Sequence, residues 1–291
     1  MLDNIKNINI LRKIFENIRN KKKLIIIKYN KRISVKLNIN NQDFEVYRII
    51  NELNQKYDLN IEDIDIRELN LSEKYIEKED LNDFCKIKFS YLNKLDLSYN
   101  EISDINILEK ADFKQLKELY INNNKISDIN ILEKVNFTEL IELYLNFNSI
   151  SDINILEKVH FKKLNNMNFS YNEISDINVL EKVNFKGLKV LNLGNNEISD
   201  INILEKVNFK KLQQLYLGCN KISNINILAK VLFKELEELY LNGNSISDIN
   251  VFKKENFKEL KELGLSFNKI NKNENVSLIN NLKLKIKKLY I

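Results

Sequence analysis

Few side chains in this 291-residue chain are equipped for catalysis. His160 is the single histidine, and it replaces an asparagine that recurs as Asn136, Asn184 and Asn208 in near-identical segments. A general base needs a substrate proton within reach and a pKa tuned by its surroundings. A lone histidine traded for asparagine reads instead as a surface substitution. A zinc site needs about four His, Cys or carboxylate ligands gathered together, and Cys85 and Cys219 are the only thiols. Neither the phosphate-cradling G-x-x-x-x-G-K-[ST] nor the nucleophile-bearing G-x-S-x-G occurs. One acidic column, Asp104, Asp128, Asp152, Asp176, Asp200 and Asp248, offers the hard oxygens that calcium takes. Asn224 holds the same place in one copy, and Asp and Asn are equally good helix caps. The column therefore predicts capping, and the chain is expected to be no enzyme, with no cofactor, no metal and no small-molecule substrate.

The aspartates sit inside a larger periodicity. Asn100, Asn124, Asn148, Asn172, Asn196, Asn220, Asn244 and Asn268 follow one another at 24-residue intervals. Each ends an L-x-x-L-x-L-x-x-N string, from Leu92/Leu95/Leu97 before Asn100 to Leu260/Leu263/Leu265 before Asn268. Apolar residues equivalent to Ile102, Ile105, Leu108 and Phe113 follow the first seven asparagines. The L-x-L alternation predicts a short strand with its leucines on one side. The "ISDINILEKVNF" type of segment returns the chain on the other side, with Ser103 or Asp104 capping a short helical turn. One such unit cannot bury both faces alone, so stacked copies must share a core.

This pattern resembles the leucine-rich repeat family over roughly residues 66–291. The resemblance implies an α/β solenoid: a concave parallel β-sheet, a short helical or irregular convex side, and a helical N-terminal cap. It also implies that the asparagines are buried and bond neighbouring backbone, and that a partner protein is met on the concave face. "IRELNLSEKYI" keeps the register through Ile66, Leu69, Leu71 and Ile76, but has Lys74 in place of the asparagine. "IKKLYI" places Ile286, Leu289 and Ile291 at strand positions of a further repeat, with an unpaired edge beyond.

Differences between copies locate the expected working surface. Lys110, Lys134, Lys158, Lys182, Lys206, Lys230 and Lys254 are identical in seven copies although they should face solvent, which suggests recent duplication. Change concentrates instead around the strands. One column reads Tyr99, Asn123, Phe147, Tyr171, Asn195, Cys219, Gly243 and Phe267. A second reads Asp96, Tyr120, Tyr144, Asn168, Asn192, Tyr216, Tyr240 and Gly264. A third reads Lys94, Glu118, Glu142, Asn166, Val190, Gln214, Glu238 and Glu262. Aromatic side chains are favoured interface anchors, and the glutamates would suit a basic partner. The expected partner-binding residues are Tyr99, Glu118, Tyr120, Glu142, Tyr144, Phe147, Tyr171, Tyr216, Glu238, Tyr240 and Phe267.

Residues 1–65 read as a separate segment. Ile5, Ile8, Leu11, Phe15 and Ile18 form one face of a helix, and Val46, Ile50, Leu53 and Tyr57 one face of another. Residues 1–40 hold 11 Lys/Arg against 2 Asp/Glu, while the whole chain carries +5. A basic arm for nucleic acid or acidic membrane is one reading, and a helical cap on the first repeat is another. "ILRKIFENIRNKKKLIIIKYNKRI" at 10–33 resembles the F-box, a helical motif that docks to the adaptor of a cullin ubiquitin ligase, although that motif's initial Pro and its Trp are missing. Ile10/Leu11, Ile14/Phe15, Ile18, Leu24/Ile25 and Lys31 carry the resemblance. It implies adaptor docking through Ile10, Leu11, Ile14, Phe15 and Leu24. Against it, Ile33, Val35, Leu37 and Ile39 alternate as in a hairpin turning at 30–32. No apolar run approaches the roughly 18 residues of a membrane helix, and "LIII" at 24–27 is too short for a secretory core. The chain is expected to be soluble and cytoplasmic.

Overall fold

The computed structural model describes residues 5–16, 31–37, 41–62, 64–254 and 256–291. Ten strands of three residues each lie side by side: β1 (Glu68–Asn70), β2 (Lys94–Asp96), β3 (Glu118–Tyr120), β4 (Glu142–Tyr144), β5 (Asn166–Asn168), β6 (Val190–Asn192), β7 (Gln214–Tyr216), β8 (Glu238–Tyr240), β9 (Glu262–Gly264) and β10 (Lys288–Tyr290). Their order in space is their order in sequence, and every pairing is parallel. The central residue of each strand points inward, so Leu95, Leu119, Leu143, Met167, Leu191, Leu215, Leu239 and Leu263 form one buried column. A strand this short cannot hold register by itself. The 24-residue return does it, by bringing equivalent residues opposite one another at each step.

On the convex side the return path makes one 3₁₀ turn per repeat, such as Asn130–Glu133 and Asn154–Glu157. Asp128 Oδ1 accepts the Asn130 backbone N–H at 2.8 Å, and Asp152 and Asp176 do the same one and two repeats on. Asn224 makes the equivalent bond to Asn226 at 2.9 Å. The aspartate column thus starts the turns, one residue earlier than a standard cap. Phenylalanines close each repeat beneath the turns: Phe89, Phe113 and Phe137 stand with ring centroids 6.5 and 6.4 Å apart. The seven-fold lysine has a structural reason that the sequence hid. Lys134, Lys158, Lys182, Lys206 and Lys230 each reach back to a glutamate one repeat earlier (Glu109, Glu133, Glu157, Glu181, Glu205) at 2.9–3.8 Å. Such exposed pairs contribute about 0–1 kcal/mol each. The series stops at Ala229, which offers Lys254 no carboxylate.

Both ends depart from the period in the same way. Leu69 faces Leu95 and Leu263 faces Leu289, offsets of 95 − 69 = 26 and 289 − 263 = 26 residues. The two extra residues accommodate true helices in place of 3₁₀ turns. In chain order the helices are α1 (Ile8–Glu16), α2 (Lys31–Leu37), α3 (Asn41–Tyr57), α4 (Lys78–Lys86) and α5 (Val276–Lys285). Helix α3 buries Ile49, Ile50, Leu53 and Tyr57 on the first repeat and is pinned by Lys56 to Asp80 at 2.7 Å. The hairpin expected around 30–39 is not formed, because Lys31–Leu37 is helical. Leu11 and Ile33 are buried, yet neither joins the continuous core that runs from Ile49 to Ile286. Helices α1 and α2 pack on each other.

The asparagines clamp repeat to repeat. Asn172 Nδ2 donates to the Leu145 carbonyl of the preceding repeat at 2.9 Å, and to Phe169 and Ser170 in its own. Its Oδ1 accepts the Ile150 N–H of the preceding repeat at 2.9 Å. The seven other asparagines repeat this scheme, Asn100 holding Lys74, Ile76 and Leu71. The clamp reaches only backwards. That is why Lys74 suffices in the first repeat: among the described residues no strand precedes β1 for an asparagine to hold. The residue before each clamp lies in the left-handed region, with φ between 53° and 58° at Tyr99, Asn123, Phe147, Tyr171, Asn195, Cys219 and Phe267, and 69° at Gly243. Asn and Gly tolerate that conformation, whereas aromatic residues bear about 1 kcal/mol of strain there.

Two stability measurements test this account. Asn172→Ala removes four hydrogen bonds and strands the Ile150 N–H, while the Leu145 carbonyl keeps Asn148 Nδ2 at 3.1 Å, so chemical denaturation should show a loss of about 2–4 kcal/mol; a change below about 0.5 kcal/mol would remove the clamp from the account. Phe267→Asn, at a left-handed position that is 89% exposed, should raise stability by about 1 kcal/mol. A lower midpoint would show that the ring makes contacts worth more than its strain.

Candidate protein-binding face

The side chains flanking each buried strand residue form the floor of the concave face, and they are organised into two clusters. In the first, Lys94 Nζ lies 3.3 Å from Glu118 and 4.8 Å from the Tyr120 ring centroid. The Tyr120 hydroxyl donates to Glu142 at 2.9 Å and lies 3.2 Å from Glu118. Its ring stacks on Tyr144 at 4.8 Å, and the Tyr144 hydroxyl accepts from Asn166 Nδ2 at 2.6 Å. In the second cluster, Gln214 Nε2 and the Tyr216 hydroxyl donate to the two oxygens of Glu238 at 2.9 and 2.6 Å. Tyr216 stacks on Tyr240 at 5.2 Å, and Tyr240 donates to Glu262 at 2.7 Å, which in turn pairs with Lys288. Burial first, and then the acceptor carboxylate, push the Tyr120, Tyr216 and Tyr240 hydroxyls well above the usual tyrosine range. Burial also raises Tyr144. The Tyr120, Tyr216 and Tyr240 hydroxyls stay protonated and keep donating. The hydrogen bond from Lys288 holds Glu262 below the ordinary carboxylate range.

Between the clusters, β5 and β6 present Asn166, Asn168, Val190 and Asn192, with no charge. Asn168 Oδ1 accepts from the Ser170 backbone and hydroxyl, and Asn192 Oδ1 from the Gly194 N–H. Tyr290 extends the second cluster, 6.2 Å from Tyr240. It falls in the same column as Tyr240 in the register of "IKKLYI", a signal the sequence held but the expected site omitted. Gly264 stands between them: a Cβ there would come within 2.8 Å of the Tyr240 ring, so only glycine lets that ring lean across.

The expected site residues therefore divide into two tiers. Glu118, Tyr120, Glu142, Tyr144, Tyr216, Glu238 and Tyr240 are on the strands, half-buried and hydrogen-bonded to one another. Tyr99, Phe147, Tyr171 and Phe267 are not on the sheet as expected; they occupy the left-handed turns at its rim and are exposed. Phe147 and Tyr171 stack there at 3.9 Å with nearly parallel planes. The glutamates are not uniformly free, since Glu118 and Glu262 are held by lysines.

The adaptor-docking residues are not brought together as one surface. Ile10 is exposed, Leu11 is fully buried and Ile14 is half-buried. Leu24 and the side chain of Phe15 lie outside the described residues, as do Ile18, Ile25 and Lys21–Lys23, on which the basic-arm reading rests. Among the described residues no group of three or more His, Cys, Asp or Glu could hold a metal ion, and no helix is long and apolar enough to cross a membrane. Burial pushes the Cys85 thiol up to about 12, which leaves it a packing residue. Cys219 is exposed at the rim.

Comparison with known proteins fits this geometry. The profile of the family described as "Leucine Rich repeats (2 copies)" matches residues 92–134 and 186–230. No curated protein sequence matches the chain. Among solved structures, the chain is similar to an internalin C2 of Listeria monocytogenes, with 24% identity and a TM-score of 0.59 over 75% of this chain and 92% of the other. It is also similar to an internalin (inlF) of the same organism, with 26% identity and a TM-score of 0.51 over 85% of this chain and 81% of the other. The profile match, the shared solenoid and the backward-reaching asparagines agree: this chain is a leucine-rich repeat protein.

Proposed function

We propose that the chain is a non-enzymatic binding module that holds a partner protein on its concave face. One observation carries this reading: two ladders of stacked tyrosines, hydrogen-bonded to carboxylates, are fixed on a sheet whose spacing the asparagine clamps set. A tyrosine locked at both ring and hydroxyl loses little freedom when a partner covers it, so its buried area converts to affinity with a small entropic cost. The clusters supply rigid anchors, and the exposed rim aromatics widen the contact. Open leucine-rich repeat sheets bind proteins in this way, and the proposal places the module in the cytoplasm.

A second role belongs to α1, where Ile8 and Ile10 stand exposed beside Arg12 and Lys13. This supports an F-box-like contact with a cullin-ligase adaptor, which would make the concave face a substrate receptor.

A partner captured from the native cell and then purified gives the assay for both. Tyr144→Ala should weaken it about tenfold or more, as central aromatic anchors do. Glu142→Gln should weaken it mainly at low salt, and Lys158→Ala on the convex side should have no effect. Retained binding after Tyr120, Tyr144, Tyr216 and Tyr240 are all changed to Ala would move the site elsewhere. Deleting residues 1–40 should abolish adaptor recruitment and leave the concave contact intact; an adaptor that never co-purifies with the full chain removes the second role.

A further inference from the structure

The charges on the concave floor have an order that the aromatic ladders do not require. Read along the sheet, they run Glu68, Lys94 (with Asp96 beside it on β2), Glu118, Glu142, then Asn166, Val190 and Gln214, then Glu238, Glu262 and Lys288. The outer glutamate of each cluster is neutralised by the lysine on the next strand out: Glu118 by Lys94 at 3.3 Å, and Glu262 by Lys288. Glu142 and Glu238 are in no ion pair among the described residues, and they accept hydrogen bonds only from neutral groups, Tyr120 for one and Tyr216 and Gln214 for the other. Between the two lysine-held glutamates, Glu142 and Glu238 are thus the carboxylates without a cationic partner, and they face each other across an uncharged floor.

Building on the concave-face reading above, we infer that the partner presents an extended basic segment running along the solenoid, with two cationic side chains that meet Glu142 and Glu238. The two glutamates are four repeats apart (β4 to β8), which at a strand spacing of about 4.8 Å is about 19 Å. An extended chain advances about 3.3 Å per residue, so the two cations are about six residues apart. The stacked tyrosines beside each glutamate favour arginine, whose flat guanidinium stacks on an aromatic face while its fork pairs with a carboxylate. The amides of Asn166, Asn168 and Asn192 face the stretch between them, which is uncharged and polar.

The test uses synthetic peptides of about 14 residues, each with two arginines in a Gly/Ser/Asn background. The arginines are separated by about two, four, six or eight positions, and binding to the full chain is measured by titration calorimetry at about 0.05 M and about 0.5 M salt. The spacing of about six should bind at least fivefold tighter than the spacing of two. Glu142→Gln and Glu238→Gln should each weaken it about fivefold and erase the spacing preference, with unchanged thermal unfolding showing an intact fold. High salt should weaken it by tenfold or more. Equal affinity across spacings, or an equal affinity after both arginines become glutamine, overturns the two-post arrangement. If Tyr144→Ala and Tyr240→Ala still weaken such peptides, the concave reading stands without it. If no peptide binds, the basic-segment assignment falls, and the concave reading is decided by Tyr144→Ala against the captured partner.

Discussion

A single side chain sets the geometry of this molecule. Each clamp asparagine bridges its own turn to the backbone of the repeat before it, filling donors and acceptors that three-residue strands leave open. Buried backbone groups without partners are costly, so the only way to add a repeat is to place it in the register the clamp dictates. The parallel sheet, the buried leucine column and the phenylalanine stack all follow from that step. So does the alignment of the outward side chains, since a one-residue slip anywhere would turn every leucine toward solvent.

The proposed binding face depends on the clamp at one remove. Tyr120 and Tyr144 stack because β3 and β4 are held one strand apart in register, and Tyr120 reaches Glu142 for the same reason. The two clusters are properties of neighbouring repeats rather than of any one repeat. This is why the variable columns have meaning only when read down the stack. A Tyr with an Asn in the next repeat makes a different surface from a Tyr beside a Tyr.

Much of this was legible in the sequence because periodicity reports directly on packing. The 24-residue interval, the strand leucines, the asparagines, the aspartate turns and the α3 helix are all pattern-level features. Three things were not legible. Whether a lysine such as Lys158 is free or bonded to Glu133 depends on contact between residues 25 apart in sequence, which one repeat alone does not display. The left-handed backbone at Phe147 and Phe267 was masked because those residues are rarely chosen for it; the Asn and Gly at equivalent positions were the clue. The segment at 31–37 carries β-branched residues at alternating positions, and a local contact with α1 made it a helix instead. There a weak propensity lost to tertiary packing.

The two 26-residue end units flank a stack in which every strand pairing is with the next copy and none spans the whole length. Such an object has a graduated scale built into it. Gaining or losing one interior copy would shift the distance between any two surface features by one strand spacing, about 4.8 Å, and leave each interface between copies as it was. The near-identity of the returning segments keeps those interfaces interchangeable, while the divergent strand positions carry the individuality. Reach and grip are therefore separable variables in this architecture: copy number sets the first, and a handful of side chains per copy sets the second.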